Sequence, residues 1–78
     1  MKIRYTIHAL ERMKQRGINR ALVEGCLEEP DKVHLLNDVY HCIKRIEERV
    51  LVVVYRRTYD GILVITAFLS SKNRKYLA

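Results

Sequence analysis

Glycine, cysteine and long apolar runs are scarce in this 78-residue chain, and each scarcity excludes a class of function. The three glycines form neither a Gly-rich phosphate loop nor a nucleophile elbow. Cys26 and Cys42 fit neither a C-x-x-C motif nor a Cys/His zinc spacing, so we expect buried thiols in a reducing compartment and no metal site. No apolar run reaches the ~18 residues of a membrane span, and no signal-peptide core begins the chain. We therefore expect a soluble, cytoplasmic protein without membrane contact.

Acidic residues are also few outside one short segment. Residues 21–31 carry four of the nine acidic side chains and no Lys or Arg. The remainder holds all 15 basic residues against five acidic ones, a local excess of +10. Such a surface favours a polyanionic partner, RNA above all, although many small basic proteins bind no nucleic acid. A chain of this length forms one domain, residues 1–78, with no room for a large cofactor cleft, and we expect no cofactor.

The apolar residues change from a helical to an alternating period after Pro30. Thr6 and Asn19 are suitable N-caps, and Gly17 is a suitable C-terminal stop. Asn37-Asp38 and Asp60-Gly61 are turn signals between the later segments. The predicted elements are an extended start, helices over 7–16 and 20–28, and strands over 32–36, 39–46, 50–55 and 62–68. The fold class predicted is α+β, with two N-terminal helices packed on one face of a four-stranded antiparallel sheet.

The first predicted helix carries a basic ridge, formed by His8, Arg12 and Arg16 at intervals of four residues. Ile7, Leu10 and Met13 fall on roughly the opposite side, where a core could receive them. The ridge combines a group that titrates near neutral pH with two permanent cations. It could hold a phosphate and move a proton, and we take all three residues as candidate catalytic residues. A solvated helix face would show the same spacing.

A second basic group closes the chain. This C-terminal basic segment contains Lys72, Arg74, Lys75 and Tyr76, and cations interleaved with an aromatic ring suit single-stranded RNA. The alternative is a frayed terminus. His34 and His41 lie on neighbouring predicted strands and could face each other, but they have no carboxylate or thiolate nearby that would complete a metal site.

The opening motif resembles that of a known family. Thr6-x-His8-Ala9-x-x-Arg12-Met13-x-x-Arg16-Gly17-Ile18 is similar to the first signature of a large family of small, mostly uncharacterised prokaryotic proteins. The segments 51–55, 64–66 and 74–76 resemble the sheet and the closing motif of that family. The family is grouped with toxins of the RelE/ParE-like and BrnT-like fold. The resemblance thus implies a single RelE-like domain.

Enzymes of that fold cleave RNA without a metal, using scattered Arg, Lys, His and Tyr side chains. The resemblance assigns His8, Arg12 and Arg16 to the opening motif, and Lys75 and Tyr76 to the closing one. It implies a metal-independent endoribonuclease-type toxin, possible action on ribosomes, and a cognate antitoxin as partner. Because some relatives of this fold bind a protein target instead, two alternatives stay open: a noncatalytic nucleic-acid-binding module and a partner-binding protein.

Overall fold

The computed structural model describes residues 2–77, which form five strands and three helices. In chain order the elements are β1 (Lys2–Tyr5), α1 (Ile7–Arg16), α2 (Arg20–Glu28), β2 (Lys32–Leu36), β3 (Val39–Ile46), β4 (Arg49–Thr58), β5 (Gly61–Ser70) and α3 (Asn73–Leu77). The strands make one sheet in the order β1-β5-β4-β3-β2. Strands β2 to β5 form an antiparallel meander, whereas β1 pairs with β5 in parallel.

The predicted arrangement of two N-terminal helices on a four-stranded antiparallel sheet is therefore wrong. The sheet has five strands and is mixed, a strand precedes the helices, and a third helix follows the strands. The parallel strand is secured by main-chain bonds from Lys2 N–H to the Asp60 carbonyl and from Thr6 N–H to the Val64 carbonyl, both 3.0 Å. These bonds join residues 58 positions apart in the sequence, so no local period reveals them.

Helices α1 and α2 begin and end where the sequence predicts, because their caps are local. The Thr6 side chain accepts a hydrogen bond from the Ala9 main-chain N–H at 2.9 Å. The Asn19 side chain does the same for Leu22 N–H at 2.9 Å. Gly17 ends α1 in the left-handed region at φ 67°, a conformation that glycine adopts without steric cost.

The sheet has two apolar faces, which are covered by different helices. Directly paired residues on neighbouring strands share a face, so the register assigns each side chain. The α1/α2 face is buried beneath the first two helices, and its fully buried members include Cys42, Leu51, Val53, Val64 and Ala67. The α3 face is smaller and is partly covered by Tyr76 and Leu77 of α3, which contact Ile43, Val50, Val52 and Phe68.

Helix α1 contacts the sheet through Ala9 and Met13, which are 0% and 3% exposed. The prediction that Met13 is buried is confirmed. The same prediction is wrong for Ile7, which is 77% exposed, and Leu10 lies at the margin of the interface at 37%. Ala9 and Met13 therefore mark the buried side of α1, and Ile7 lies on its solvent side.

Gly61 differs from its predicted role as a turn residue. The turn between β4 and β5 is formed by Tyr59 and Asp60, and Gly61 is already the first residue of β5. A Cβ at Gly61 would collide with the main chain of Lys2. Glycine at this position thus permits β1 to pair beside β5. Across residues 2–77, no helix has the length and apolar character that a membrane span requires.

Candidate functional site

The basic ridge lies on the solvent side of α1. His8, Arg12 and Arg16 are all exposed, and i, i+4 spacing places neighbouring members about 5–6 Å apart at Cβ. Within the described part of the chain, His8 and Arg12 make no hydrogen bond or ion pair. Both side chains are therefore available to a ligand from solvent.

Arg16 is partly committed to the fold. Its Nη1 donates to the main-chain carbonyl of Ala67 in β5 at 2.8 Å. Together with the Thr6 hydroxyl, which donates to the Ile65 carbonyl at 3.2 Å, this bond ties both ends of α1 to β5. The ridge is thus held on a rigid element, and Arg12 is its unencumbered cation.

The C-terminal basic segment lies on the other side of the sheet. Tyr76 packs on the α3 face, with its ring edge-on to Phe68 at a centroid distance of 6.1 Å. Lys75 Nζ lies 5.4 Å from the centroid of the Tyr76 ring. The fold does not bring this segment together with the ridge, because α1 and α3 cover opposite faces of the sheet. Its role in RNA binding stays a prediction.

The predicted juxtaposition of His34 and His41 is confirmed, since they are directly paired across β2 and β3. His41 Nδ1 is buried and has no hydrogen-bond partner within residues 2–77. Residues 2–77 contain no group of three His, Cys, Asp or Glu side chains placed to hold a metal ion.

Cys26 and Cys42 are buried free thiols, as predicted, and they lie side by side. Their Sγ atoms are 3.6 Å apart, and each thiol also donates to the main-chain carbonyl of the other residue, at 3.5 and 3.2 Å. The hydrogen bond between the thiols, together with burial, raises the pKa of Cys26. These thiols lie between α2 and β3, where they contribute to the packing of the helix on the sheet.

A pocket that sequence reasoning missed opens at the β4–β5 turn, on the α1/α2 face. This hairpin pocket has a volume of about 480 Å³, and its lining residues are Leu27, Tyr55, Arg57, Thr58, Tyr59, Asp60, Gly61 and Ile62. Burial raises the pKa of Tyr55 above its ordinary value. The sequence does contain one signal of the pocket, the run Arg56-Arg57-Thr58-Tyr59-Asp60 of polar residues and an aromatic beside a turn.

The model of a family described as a domain of unknown function, DUF4258, matches residues 5–69. The chain belongs to this family. The DUF4258 match includes the basic ridge and every residue that lines the hairpin pocket, but it ends before α3. No curated protein and no solved structure gives a significant match.

Proposed function

We propose that this protein is a metal-independent endoribonuclease-type toxin that binds single-stranded RNA through the basic ridge of α1. The observation that carries the proposal is the placement of His8 beside Arg12 on the exposed side of an anchored helix. The net charge of +6 supplies the long-range attraction for a polyanion.

In the proposed reaction, the ridge transfers a proton next to a phosphate. His8 takes the proton of a ribose 2′-hydroxyl, and the oxygen attacks the adjacent phosphorus while the bond from phosphorus to the 5′-oxygen breaks. The leaving 5′-oxygen takes a proton from water, and a 2′,3′-cyclic phosphate remains on the other fragment. Arg12 stabilises the negative charge that develops on the phosphate oxygens, since its planar guanidinium can donate two parallel hydrogen bonds. Arg16 adds charge, but its bond to Ala67 also gives it a structural role.

The proposed antitoxin would cover the same helix. Ile7 and Leu10 are among the exposed large apolar side chains, and both lie on α1, on the other side of the helix from the ridge. A protein partner that buried them while placing acidic groups on Arg12 would also block access of RNA. This arrangement would explain how one contact silences the toxin.

A noncatalytic RNA-binding module is the second candidate, and one observation favours it. No residue in the range 2–77 donates to or accepts from His8, so no hydrogen bond within that range orients its imidazole ring. General-base catalysts are usually held by a neighbouring group. In this alternative the ridge binds phosphates and the histidine transfers no proton.

Two substitutions separate the candidates. His8→Ala should abolish cleavage of a labelled RNA, measured with and without ribosomes, while RNA binding remains. Arg12→Lys should reduce cleavage more than binding, because lysine keeps the charge but loses the two-pronged contact. Lys14→Gln is the matched control, since it removes an exposed cation from α1 outside the ridge. Cleavage should persist in EDTA.

The outcomes are distinct. If RNA is bound through Arg12 but never cut, and expression of the protein does not slow growth, the toxin proposal fails and the binding module replaces it. If Lys14→Gln weakens RNA binding as much as Arg12→Gln does, the ridge has no special role and only overall charge matters.

A further inference from the structure

The hairpin pocket combines an apolar floor with a polar rim. Leu27 from α2 and Ile62 from β5 supply apolar surface, and the Tyr55 ring forms a wall. The Tyr55 side chain makes no hydrogen bond among residues 2–77. Its hydroxyl does not belong to the buried polar atoms of this range that lack a partner. Tyr55 thus lines the pocket with a hydroxyl that no residue of this range occupies.

Arg57 provides an uncompensated positive charge at the rim. Its guanidinium carbon lies 5.2 Å from the centroid of the Tyr40 ring, which stacks on Tyr55 at 5.1 Å with an interplanar angle of 9°. No carboxylate of the described chain pairs with Arg57. The two tyrosine rings thus hold the cation in place while its charge remains free for an anion.

Asp60 also lines the pocket and supplies hydrogen-bond acceptors. Its carboxylate accepts from Arg4 at 2.9 Å and from the Thr58 hydroxyl at 3.4 Å. These contacts fix its orientation, and the side chain is still 30% exposed. A carboxylate placed this way can accept hydrogen bonds from a sugar hydroxyl or from the amino group of a base.

Tyr59 stands fully in solvent beside the pocket, with a relative exposure of 105%. A large aromatic ring with this exposure adds little to the core, and its π-face is open for stacking. Base–aromatic stacking is the usual way in which proteins bind unpaired nucleic acid.

We propose that the hairpin pocket binds one nucleotide of single-stranded RNA: Arg57 holds the phosphate, Asp60 accepts from the ribose or base, and Tyr59 stacks on the base. This inference rests on the proposed RNA-binding function and names a second contact point for the same ligand. The Tyr55 hydroxyl adds a hydrogen bond to the phosphate or the sugar.

The pocket and the basic ridge can contact one RNA strand because both lie on the α1/α2 face. Helix α1 is attached to β5 at Val64 and Ile65, and the pocket wall includes Ile62 of the same strand. Three residues of β-strand span about 10 Å. The C-terminal basic segment lies on the α3 face, so it is not connected to the pocket on one face in this way.

Two matched pairs of variants test the proposal in fluorescence anisotropy with a labelled single-stranded RNA, titrated at several salt concentrations. Arg57→Gln should flatten the slope of log Kd against log salt by about 0.7, the value for one phosphate contact on a single strand. Arg56→Gln removes the same charge on the opposite sheet face, where Arg56 pairs with Leu63, and should leave the slope unchanged. Tyr59→Ala should weaken binding about 5- to 150-fold, whereas Tyr59→Phe should retain it.

Failure of the pocket and failure of RNA binding give different results. If RNA binds but the two arginine variants behave alike, or if Tyr59→Ala has no effect, the pocket proposal is overturned and the proposed function stands. If the protein binds no RNA, adenosine 5′-monophosphate is added and amide shifts are followed by NMR. Shifts confined to Leu27, Gly61 and Ile62 would keep the pocket as a nucleotide site and reject the RNA function. Absence of these shifts would reject both.

Discussion

When the apolar residues of α1 are truncated to alanine, the loss of unfolding free energy should increase steeply with the burial of the side chain. Met13 is 3% exposed, Leu10 37% and Ile7 77%. Met13→Ala removes a fully packed side chain and leaves a cavity, which costs about 2–5 kcal/mol of unfolding free energy. Full burial of an aliphatic side chain is worth about 1.5–3 kcal/mol, so the buried fractions give about 1–2 kcal/mol for Leu10→Ala and below about 0.7 kcal/mol for Ile7→Ala.

Urea denaturation followed by circular dichroism measures these losses. With a slope near 2 kcal/mol/M, a loss of 2 kcal/mol lowers the midpoint by about 1 M, well beyond experimental scatter. A domain of this length has about 4–12 kcal/mol of total stability, so Met13→Ala can bring it close to unfolding. His8→Ala serves as the control on the solvent side and should leave the midpoint unchanged.

One result would refute this orientation of α1. If Ile7→Ala costs as much as Met13→Ala, the helix must be rotated about its axis, and the apolar stripe read from the sequence alone would be correct. The ridge would then occupy a different position relative to β5, and the argument for its exposure would fail with it.

Three further outcomes are expected. Gly61→Ala should cost about 1–3 kcal/mol or more in urea denaturation, because its Cβ collides with the main chain of Lys2 and β1 must move. Gly25→Ala should stabilise the protein by about 0.5–1 kcal/mol, since α2 leaves open space there and alanine favours helix. Burial raises the pKa of Tyr5 and Tyr55 above their ordinary 10.0, so the unfolded state releases their protons first. The contribution of these tyrosines to the unfolding free energy should therefore be constant below about pH 10 and fall above it, and Tyr55→Phe should reduce the fall.

The helix caps and the turn between β2 and β3 could be predicted from the sequence. Thr6 and Asn19 accept bonds from residues three positions later, and Gly17 adopts a left-handed conformation that few other residues tolerate. Asn37 and Asp38 both have positive φ, as the two-residue hairpin turn requires. Each of these features depends on neighbours within a few residues.

The candidate site was only partly readable. The four-residue spacing identified the ridge as one surface, and the structure places all three members in solvent. It could not show that Arg16 is bonded to Ala67, 51 positions away. The hairpin pocket was missed because its walls come from α2, β4 and β5, and no single segment carries its pattern.

The sequence by itself determined where α1, α2 and the turn between β2 and β3 lie, because caps, periodicity and turn dihedrals are short-range effects. Only the tertiary structure decided that Lys2–Tyr5 joins the sheet in parallel, that α1 turns Ala9 rather than Ile7 toward the core, and that α3 covers the opposite face. These choices depend on contacts between residues far apart in the chain. Packing selects among several arrangements that the local pattern permits equally.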